Sequence, residues 1–128
     1  MRVLIVDDNA VNRRLPEIIM TQLGHQTQQA DNGKTALEML RSNPVDCVLL
    51  DISMPEMSGE EVCQAVRQDD ALKHLYIIAY TAHAMSEERS AIMAHGFDDL
   101  LIKPVSKASM VSAMKVAEQA VKHRTTGA

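Results

Sequence analysis

Tryptophan is absent from this 128-residue sequence, which also contains only two Tyr and one Phe. Aromatic surfaces on which the bases of single-stranded nucleic acids stack are therefore scarce. Positive charge is also in deficit, because 13 Lys and Arg residues are set against 17 Asp and Glu residues, which gives a formal net charge of -4. Nucleic acids and anionic membranes both require clustered positive charge on a protein that binds them. We therefore expect protein partners and no direct nucleic acid or membrane contact.

Long apolar runs and a cysteine framework are missing as well. No apolar run approaches the length that spans a bilayer, and the N-terminus enters a strand-like segment at once, without the basic and then apolar sequence of a signal peptide. We therefore expect a cytoplasmic protein. Cys47 and Cys63 form neither a C-x-x-C pair nor a disulfide framework, and each lies in an apolar segment. We expect reduced thiols that pack as small apolar side chains.

The sequence does contain enough apolar residues, 46% of the total, to build the core of one domain of ordinary size. Short apolar runs alternate with amphipathic stretches, which is typical of βα units in a parallel sheet. The apolar runs predict strands buried on both faces, at residues 3–6, 46–50, 75–80 and 100–102. The polar run at residues 25–30 predicts an exposed edge strand. Five βα units result.

The predicted helices are bounded by conventional start and stop residues, namely Asn9, Gly24, Asn32-Gly33, Asn43-Pro44, Ser86, Gly96 and Ser106. One residue contradicts the local pattern. Pro16 lies inside the first predicted helix, where it removes a hydrogen bond and costs about 3 kcal/mol. We expect a kink at this position.

Polar residues stand where the predicted strands end, at Asp7, Asp8, Asp51, Thr81 and Lys103. Functional groups of an open parallel sheet collect at the carboxyl ends of the strands. Taken singly, each residue has an ordinary explanation as a turn, a helix cap or a solvated charge. Taken together, like charges about 4 Å apart repel by roughly 4 kcal/mol at an effective dielectric of 20, so a positive partner is needed.

Lys103 offsets part of that repulsion, and a hard divalent cation offsets more. Mg²⁺ is favoured, or Mn²⁺ in its place, because Mg²⁺ retains water and accepts phosphate oxygens. A carboxylate can act as the nucleophile that forms an aspartyl phosphate, while lysine and hydroxyl groups stabilise the charge on the phosphoryl oxygens. The constellation therefore points to phosphoryl transfer.

The residues at these positions match a known set of motifs: VDDN at residues 6–9, LLDISMPEMSG at 49–59, TAHA at 81–84 and KP at 103–104. With them, the chain resembles the receiver (response regulator) domain of two-component signal transduction over residues 1–121. The longer runs VDDNAVNRR at residues 6–14 and TAHAM at residues 81–85 look like those of receivers in hybrid sensor histidine kinases, or of receivers fed by histidine-phosphotransfer proteins. The resemblance implies a three-layer α/β flavodoxin-like (βα)5 fold, with a parallel five-stranded sheet in the order 2-1-3-4-5. Residues 122–128 are left as a flexible tail or linker remnant.

The resemblance also assigns a role to each site residue. Asp51 would be the phosphoacceptor, and Asp7, Asp8, Asp51 and the backbone carbonyl of Ser53 would bind Mg²⁺. Thr81 would donate a hydrogen bond to the phosphoryl group, and Lys103 would pair with it. The Lys103-Pro104 peptide would be cis.

By the same resemblance, the chain would be a phosphorelay switch, either a stand-alone protein or a piece of a hybrid histidine kinase. It would take its phosphoryl group from a histidine kinase or a histidine-phosphotransfer protein, act on a downstream protein target, and exist as a monomer or weak dimer. It would catalyse its own phosphorylation and dephosphorylation and not turn over a substrate. Two alternatives remain open: a phosphatase or phosphotransferase with an aspartyl nucleophile, in which a second Asp usually stands where Ser53 is, and a binding-only pseudo-receiver.

The sequence departs from the family pattern at Leu100, where receivers usually carry the Tyr or Phe that rotates inward on activation. We therefore expect an output carried by shifts of backbone and helices. His83 is either an exposed loop residue or a group that tunes hydrolysis of the phosphoryl group. Candidate docking residues lie beside the site, at Val11, Arg14, Leu15 and Val105, although Leu15 could instead belong to the core and Arg14 could simply be solvated.

Overall fold

The structure, a computed structural model, describes residues 1–82 and 85–126. Within these residues strands and helices alternate along the chain, as the sequence predicts. The strands are β1 (Arg2–Val6), β2 (Gln26–Ala30), β3 (Cys47–Asp51), β4 (Tyr76–Thr81) and β5 (Asp99–Ile102). The helices are α1 (Ala10–Gln22), α2 (Gly33–Ser42), α3 (Gly59–Gln68), α4 (Ser86–Met93) and α5 (Lys107–Thr126).

The strands form one parallel sheet in the order β2-β1-β3-β4-β5, which confirms the predicted topology. The central strands β3 and β4 are buried along their whole length, because helices cover both faces of the sheet. Strand β2 is mostly exposed and lies at the edge, as its glutamine-rich sequence predicts.

Two apolar clusters separate the three layers. One lies between the sheet and helices α2, α3 and α4, and we call it the α3-side core; it includes Leu37, Val62 and Ile92. The other lies between the sheet and helices α1 and α5, and we call it the α5-side core; it includes Met20 and Met114. The methionines of α5 that recur at helical spacing therefore pack against the sheet, as predicted.

Helix ends follow the predicted signals. The side chains of Asn9 and Asn32 cap α1 and α2 by accepting hydrogen bonds from backbone N–H groups within the first turn. Gly24 and Gly96 adopt φ angles of 89° and 108°, a left-handed conformation that ends a helix most easily at glycine. Pro16 is buried within α1, and the helix is assigned without interruption from Ala10 to Gln22.

The C-terminal segment continues the last helix. Helix α5 extends to Thr126, so it includes residues 122–126 of the segment predicted as a flexible tail or linker remnant. Arg124 explains the extension, because its guanidinium donates hydrogen bonds to the carbonyls of His74 and Leu75 and to the carboxylate of Asp98. In the described part of the chain, no helix combines the length and apolarity that crossing a bilayer requires.

Candidate functional site

The carboxyl ends of four neighbouring strands bring the predicted site residues together. Asp7 follows β1, Asp51 and Thr81 are the last residues of β3 and β4, and Lys103 follows β5. Asp7, Asp51 and Thr81 are buried, with exposed fractions of 0%, 3% and 6%, whereas Asp8 is exposed. Buried carboxylates are rare unless a charge or a ligand compensates them, so the burial itself marks this edge as a site.

Lys103 provides the compensating charge. Its Nζ lies 2.9 Å from Oδ2 of Asp7 and 3.0 Å from Oδ1 of Asp51, so that one ammonium bridges two carboxylates. Burial alone would lower the pKa of Lys103, but the hydrogen bonds to Asp7 and Asp51 outweigh it and raise that pKa above its ordinary value. The lysine therefore remains charged at neutral pH.

The carboxylate of Asp51 is nevertheless less stable in its charged form than an aspartate in water. Burial raises the pKa of Asp51 above its ordinary value, and the neighbouring Asp7 carboxylate adds to this effect. The hydrogen bond from Lys103 opposes the rise without cancelling it. One lysine thus does not fully offset the two buried carboxylates, and the site retains a demand for positive charge.

A divalent cation fits that demand. One carboxylate oxygen from each of Asp7, Asp8 and Asp51 lies within 4.8 Å of the other two. An all-oxygen set of carboxylates with one exposed member suits Mg²⁺, which binds few protein ligands and keeps several waters. The residues present therefore fit the metal that the sequence predicts.

Local backbone interactions hold the two buried carboxylates in place. The N–H of Asn9 donates to Oδ1 of Asp7 at 3.0 Å, and the N–H of Ser53 donates to Oδ1 of Asp51 at 3.2 Å. Behind Asp51 the start of α3 approaches closely, since a Cβ added to Gly59 would lie 2.1 Å from the carbonyl oxygen of Asp51. Only glycine fits there. Within the same loop, Glu56 has a φ of 68°, a strained conformation for a residue other than glycine.

Arg13 is a site neighbour that the sequence does not reveal. Its Nη1 donates to the backbone carbonyl of Asp7 at 2.7 Å, and its Nε donates to the side chain of Gln29 at 2.9 Å. Arg13 therefore ties the loop that carries the two acidic residues to the edge strand β2. An arginine in the first turns of a helix carries no sequence signal of such a contact, because its length allows many partners.

The backbone of Thr81 is hydrogen-bonded to that of Lys103. The N–H of Lys103 donates to the carbonyl of Thr81 at 2.7 Å, which aligns the ends of β4 and β5, and the Lys103-Pro104 peptide is cis as expected. Ser53 is exposed. His83, whose two alternative roles were left open, lies outside the described residues.

Leu100 is 5% exposed and lies in the α3-side core together with Phe97. Tyr80 lies in the α5-side core, on the opposite face of the sheet. Tyr80 therefore does not occupy the place of the aromatic residue that Leu100 replaces.

An apolar surface on α1 lies beside the site. Val11, Leu15 and Ile18 are 77%, 42% and 45% exposed, so Leu15 is not a core residue. Together with Lys103 and Pro104, the first two residues line a groove of about 360 Å³. Val105 is 4% exposed, which corrects its assignment as a docking residue: it packs in the α5-side core.

Comparisons with known proteins agree with this architecture. The family model of the response regulator receiver domain matches residues 3–115, and the chain belongs to that family. It is therefore a receiver domain of two-component signalling, a class of phosphorylation-based switches.

Two relatives show the range of proteins in which such a domain occurs. The chain is 38% identical over 116 residues to the sensor histidine kinase GacS of Pseudomonas protegens, a match that covers 88% of this chain and 13% of the kinase. It is 35% identical over 113 residues to the polar-differentiation response regulator DivK of Brucella anthropi, a match that covers 88% of this chain and 92% of that protein. The chain thus spans a small part of one relative and nearly all of the other.

A solved structure adds a comparison at the site. The receiver domain of a sensor histidine kinase from Pseudomonas aeruginosa is 25% identical and superposes with a TM-score of 0.82, over 94% of this chain and 97% of that one. That structure contains a magnesium ion coordinated in the active-site cleft.

Proposed function

We propose that this chain accepts a phosphoryl group on Asp51 from a phosphohistidine, and that phosphorylation changes the surface it presents to a partner protein. The observation that carries the proposal is the bridging of two buried carboxylates, Asp7 and Asp51, by the ammonium of Lys103. A structural ion pair needs one carboxylate for one lysine. The second buried carboxylate is explained by a reaction that uses it.

In the proposed reaction an oxygen of Asp51 attacks the phosphorus atom of the phosphohistidine. A phosphorus–oxygen bond forms as the phosphorus–nitrogen bond breaks, and the released imidazole takes up a proton. Charge then lies on the phosphoryl oxygens, where Lys103 forms an ion pair and the hydroxyl of Thr81 donates a hydrogen bond. The domain thus catalyses its own phosphorylation. Attack of water on the same phosphorus atom breaks the phosphorus–oxygen bond to Asp51, releases inorganic phosphate and restores the carboxylate.

Asp7, Asp8, Asp51 and the backbone carbonyl of Ser53 would hold Mg²⁺, or Mn²⁺ in its place. When bound, the metal supplies positive charge that stabilises the phosphoryl oxygens. Support comes from the closeness of the three carboxylates and from the magnesium ion in the related Pseudomonas aeruginosa receiver.

The proposed phosphodonor is a histidine kinase or a histidine-phosphotransfer protein that binds the exposed apolar residues of α1. Val11 and Leu15 flank a groove that also contains Lys103, so a helix bound there would present a histidine close to the site. The domain is proposed to act in the cytoplasm, as a monomer or weak dimer, within a hybrid kinase or alone.

The direct test is to incubate the protein with Mg²⁺ and acetyl phosphate, or with beryllofluoride. We expect a phosphoryl adduct on wild type, detected by mass spectrometry, and no adduct on Asp51→Asn. Asp70→Asn is the matched control, because Asp70 is an aspartate with a 96% exposed side chain far from the site. An adduct that persists in Asp51→Asn, or none on the wild type, contradicts the proposal.

A further inference from the structure

Tyr80 contacts the site in a way that the proposed chemistry does not use. The Nζ of Lys103 lies 5.1 Å from the centroid of the Tyr80 ring, which is within the range of a cation–π interaction. The ammonium therefore has three partners, two carboxylates and an aromatic ring. An ammonium that donates to two carboxylates at 2.9 and 3.0 Å is charged, so the ring faces a cation.

Tyr80 also contacts the end of β3, where Asp51 lies, and the short segment between Lys103 and α5. Its backbone lies beside Asp51 in the pairing of β3 with β4, and its carbonyl accepts a hydrogen bond from Ile52 at 3.2 Å. Its hydroxyl accepts a hydrogen bond from the N–H of Val105 at 3.4 Å, just before α5 begins. Tyr80 is 3% exposed, so its ring has little freedom to leave this position.

We propose that Tyr80 is a positioning residue, whose ring holds the Lys103 ammonium between Asp7 and Asp51 and whose hydroxyl passes a movement of that lysine to the start of α5. This inference rests on the proposed function, because it assumes that Lys103 shifts its contacts when Asp51 carries a phosphoryl group. It supplies a route to α5 through the α5-side core, whereas Leu100 lies in the opposite core and has no aromatic ring.

Two substitutions separate the two parts of the inference. Tyr80→Leu removes the ring and the hydroxyl, whereas Tyr80→Phe keeps the ring and removes only the hydroxyl. We expect Tyr80→Leu to slow phosphorylation by acetyl phosphate about threefold to tenfold, the effect of losing a partly buried cation–π contact. Tyr80→Phe should react at close to the wild-type rate.

The chain itself provides a matched control. Tyr76 is a second buried tyrosine of β4, with the guanidinium of Arg124 lying 5.4 Å from its ring centroid, at the end of the strand away from Asp51. Tyr76→Leu and Tyr76→Phe disturb the same core without touching Lys103. We expect both to phosphorylate at the wild-type rate.

Nuclear magnetic resonance supplies readouts that loss of core packing alone would not reproduce. The ring should shift the resonances of the Lys103 side chain upfield, and this shift should persist in Tyr80→Phe and disappear in Tyr80→Leu. On addition of beryllofluoride, the Val105 amide should change in the wild type, and this change should be lost in Tyr80→Phe.

The possible results separate a failure of the proposed function from a failure of the positioning role of Tyr80. If the wild type forms no phosphoryl or beryllofluoride adduct, the proposed function fails, and the Lys103 shift in the unmodified protein still tests the positioning role. If Tyr76→Leu slows the reaction as much as Tyr80→Leu does, or if the Lys103 shift survives in Tyr80→Leu, the positioning role is wrong. If the Val105 amide of Tyr80→Phe still responds to beryllofluoride, the transmission to α5 is wrong.

Discussion

At the scale of single residues, the site is organised around a charge that the folded chain does not fully compensate. Asp51 and Asp7 are buried side by side and share one lysine. A carboxylate with a raised pKa is less stable when charged than it would be in water. The proposed phosphoacceptor is therefore held at a cost to stability, as is common at functional sites.

Replacement of the phosphoacceptor candidate should accordingly stabilise the fold. We expect Asp51→Asn to raise the free energy of unfolding by about 1 kcal/mol at neutral pH without divalent cations. The pKa of Asp51 is higher folded than unfolded, so the wild type loses stability as the pH rises from its ordinary value of 3.8 through the raised value. The difference between the two proteins should therefore shrink under acidic conditions.

Urea unfolding at pH 7 and at pH 4, in the presence of a chelator, measures this difference. Asp70→Asn should change stability little, because the ion pair of Asp70 with Lys73 is exposed to solvent and such pairs contribute little. Equal stability of wild type and Asp51→Asn at pH 7 would show that the carboxylate is adequately compensated after all.

At the scale of secondary structure elements, α1 has one apolar face in the core and another exposed to solvent. Ile19 and Met20 face the α5-side core, while Val11, Leu15 and Ile18 are exposed beside the site. Exposed apolar residues on one face of a helix are suited to a protein partner. The same helix thus anchors the fold and offers the proposed docking surface.

Substitutions on the exposed apolar face of α1 should slow phosphoryl transfer from a protein donor and not from acetyl phosphate. We expect Val11→Glu and Leu15→Glu to slow transfer from a phosphorylated histidine-phosphotransfer domain by about tenfold, as loss of an apolar interface contact does. The rate with acetyl phosphate should be unchanged, because both side chains are exposed on α1 and neither belongs to the groups proposed to bind the phosphoryl group or the metal.

Val116→Glu is the control for this experiment, since Val116 is 58% exposed on α5 and does not line the α1 groove. Measuring phosphorylated protein over time with each donor gives the two rates. A parallel loss with both donors would indicate damage to the site, and an unchanged rate with the protein donor would exclude this face as the docking surface.

The order of the strands and helices can be predicted from the sequence, whereas the contacts of long side chains cannot. Apolar runs and helix caps predict the order of strands and helices, because local periodicity and capping act over a few residues. The convergence of Asp7, Asp51 and Lys103 follows from the parallel topology. Contacts made by long side chains do not follow from the topology. Arg13 reaches the carbonyl of Asp7, and Arg124 reaches the carbonyl of His74 just before β4 begins. Each contact depends on which of many rotamers the packing selects. The prediction of a tail at residues 122–128 has another reason, because residues 123–128 show no apolar periodicity.

At the scale of the whole molecule, the end of the sheet opposite the site is held by a second charge cluster. Asp98 accepts hydrogen bonds from Arg67 of α3 at 2.8 Å and from Arg124 of α5 at 2.6 Å. Both arginines also donate to the carbonyl of Leu75. This cluster, which we call the Asp98 clamp, joins three elements with its polar groups satisfied.

A buried histidine links α5 to the sheet and should make the stability of the whole chain depend on pH. His25 is 7% exposed; its Nε2 lies 3.2 Å from Glu118 of α5 and its Nδ1 lies 3.0 Å from the amino group of Met1. Burial lowers the pKa of His25, the Met1 amino group lowers it further, and Glu118 only partly opposes this. The unfolded chain therefore binds a proton more readily than the folded chain does.

It follows that stability should fall as the pH decreases below the ordinary histidine pKa of 6.5 and should level off below the lowered value. Guanidinium unfolding between pH 7.5 and pH 5 measures the slope, which we expect to flatten in His25→Gln and to persist in His74→Gln, an exposed control. An identical slope in His25→Gln would assign the pH dependence to other groups.

The Asp98 clamp has a mechanical consequence for α5. The helix contains 20 residues and is therefore about 30 Å long. Because Arg124 is hydrogen-bonded at the C-terminal end of the helix, we expect a sideways force at Ser106 to tilt α5 and not to translate it. The displacement would then be largest at Lys107 and smallest at Arg124. A small movement at the site would therefore reach mainly the first turns of α5.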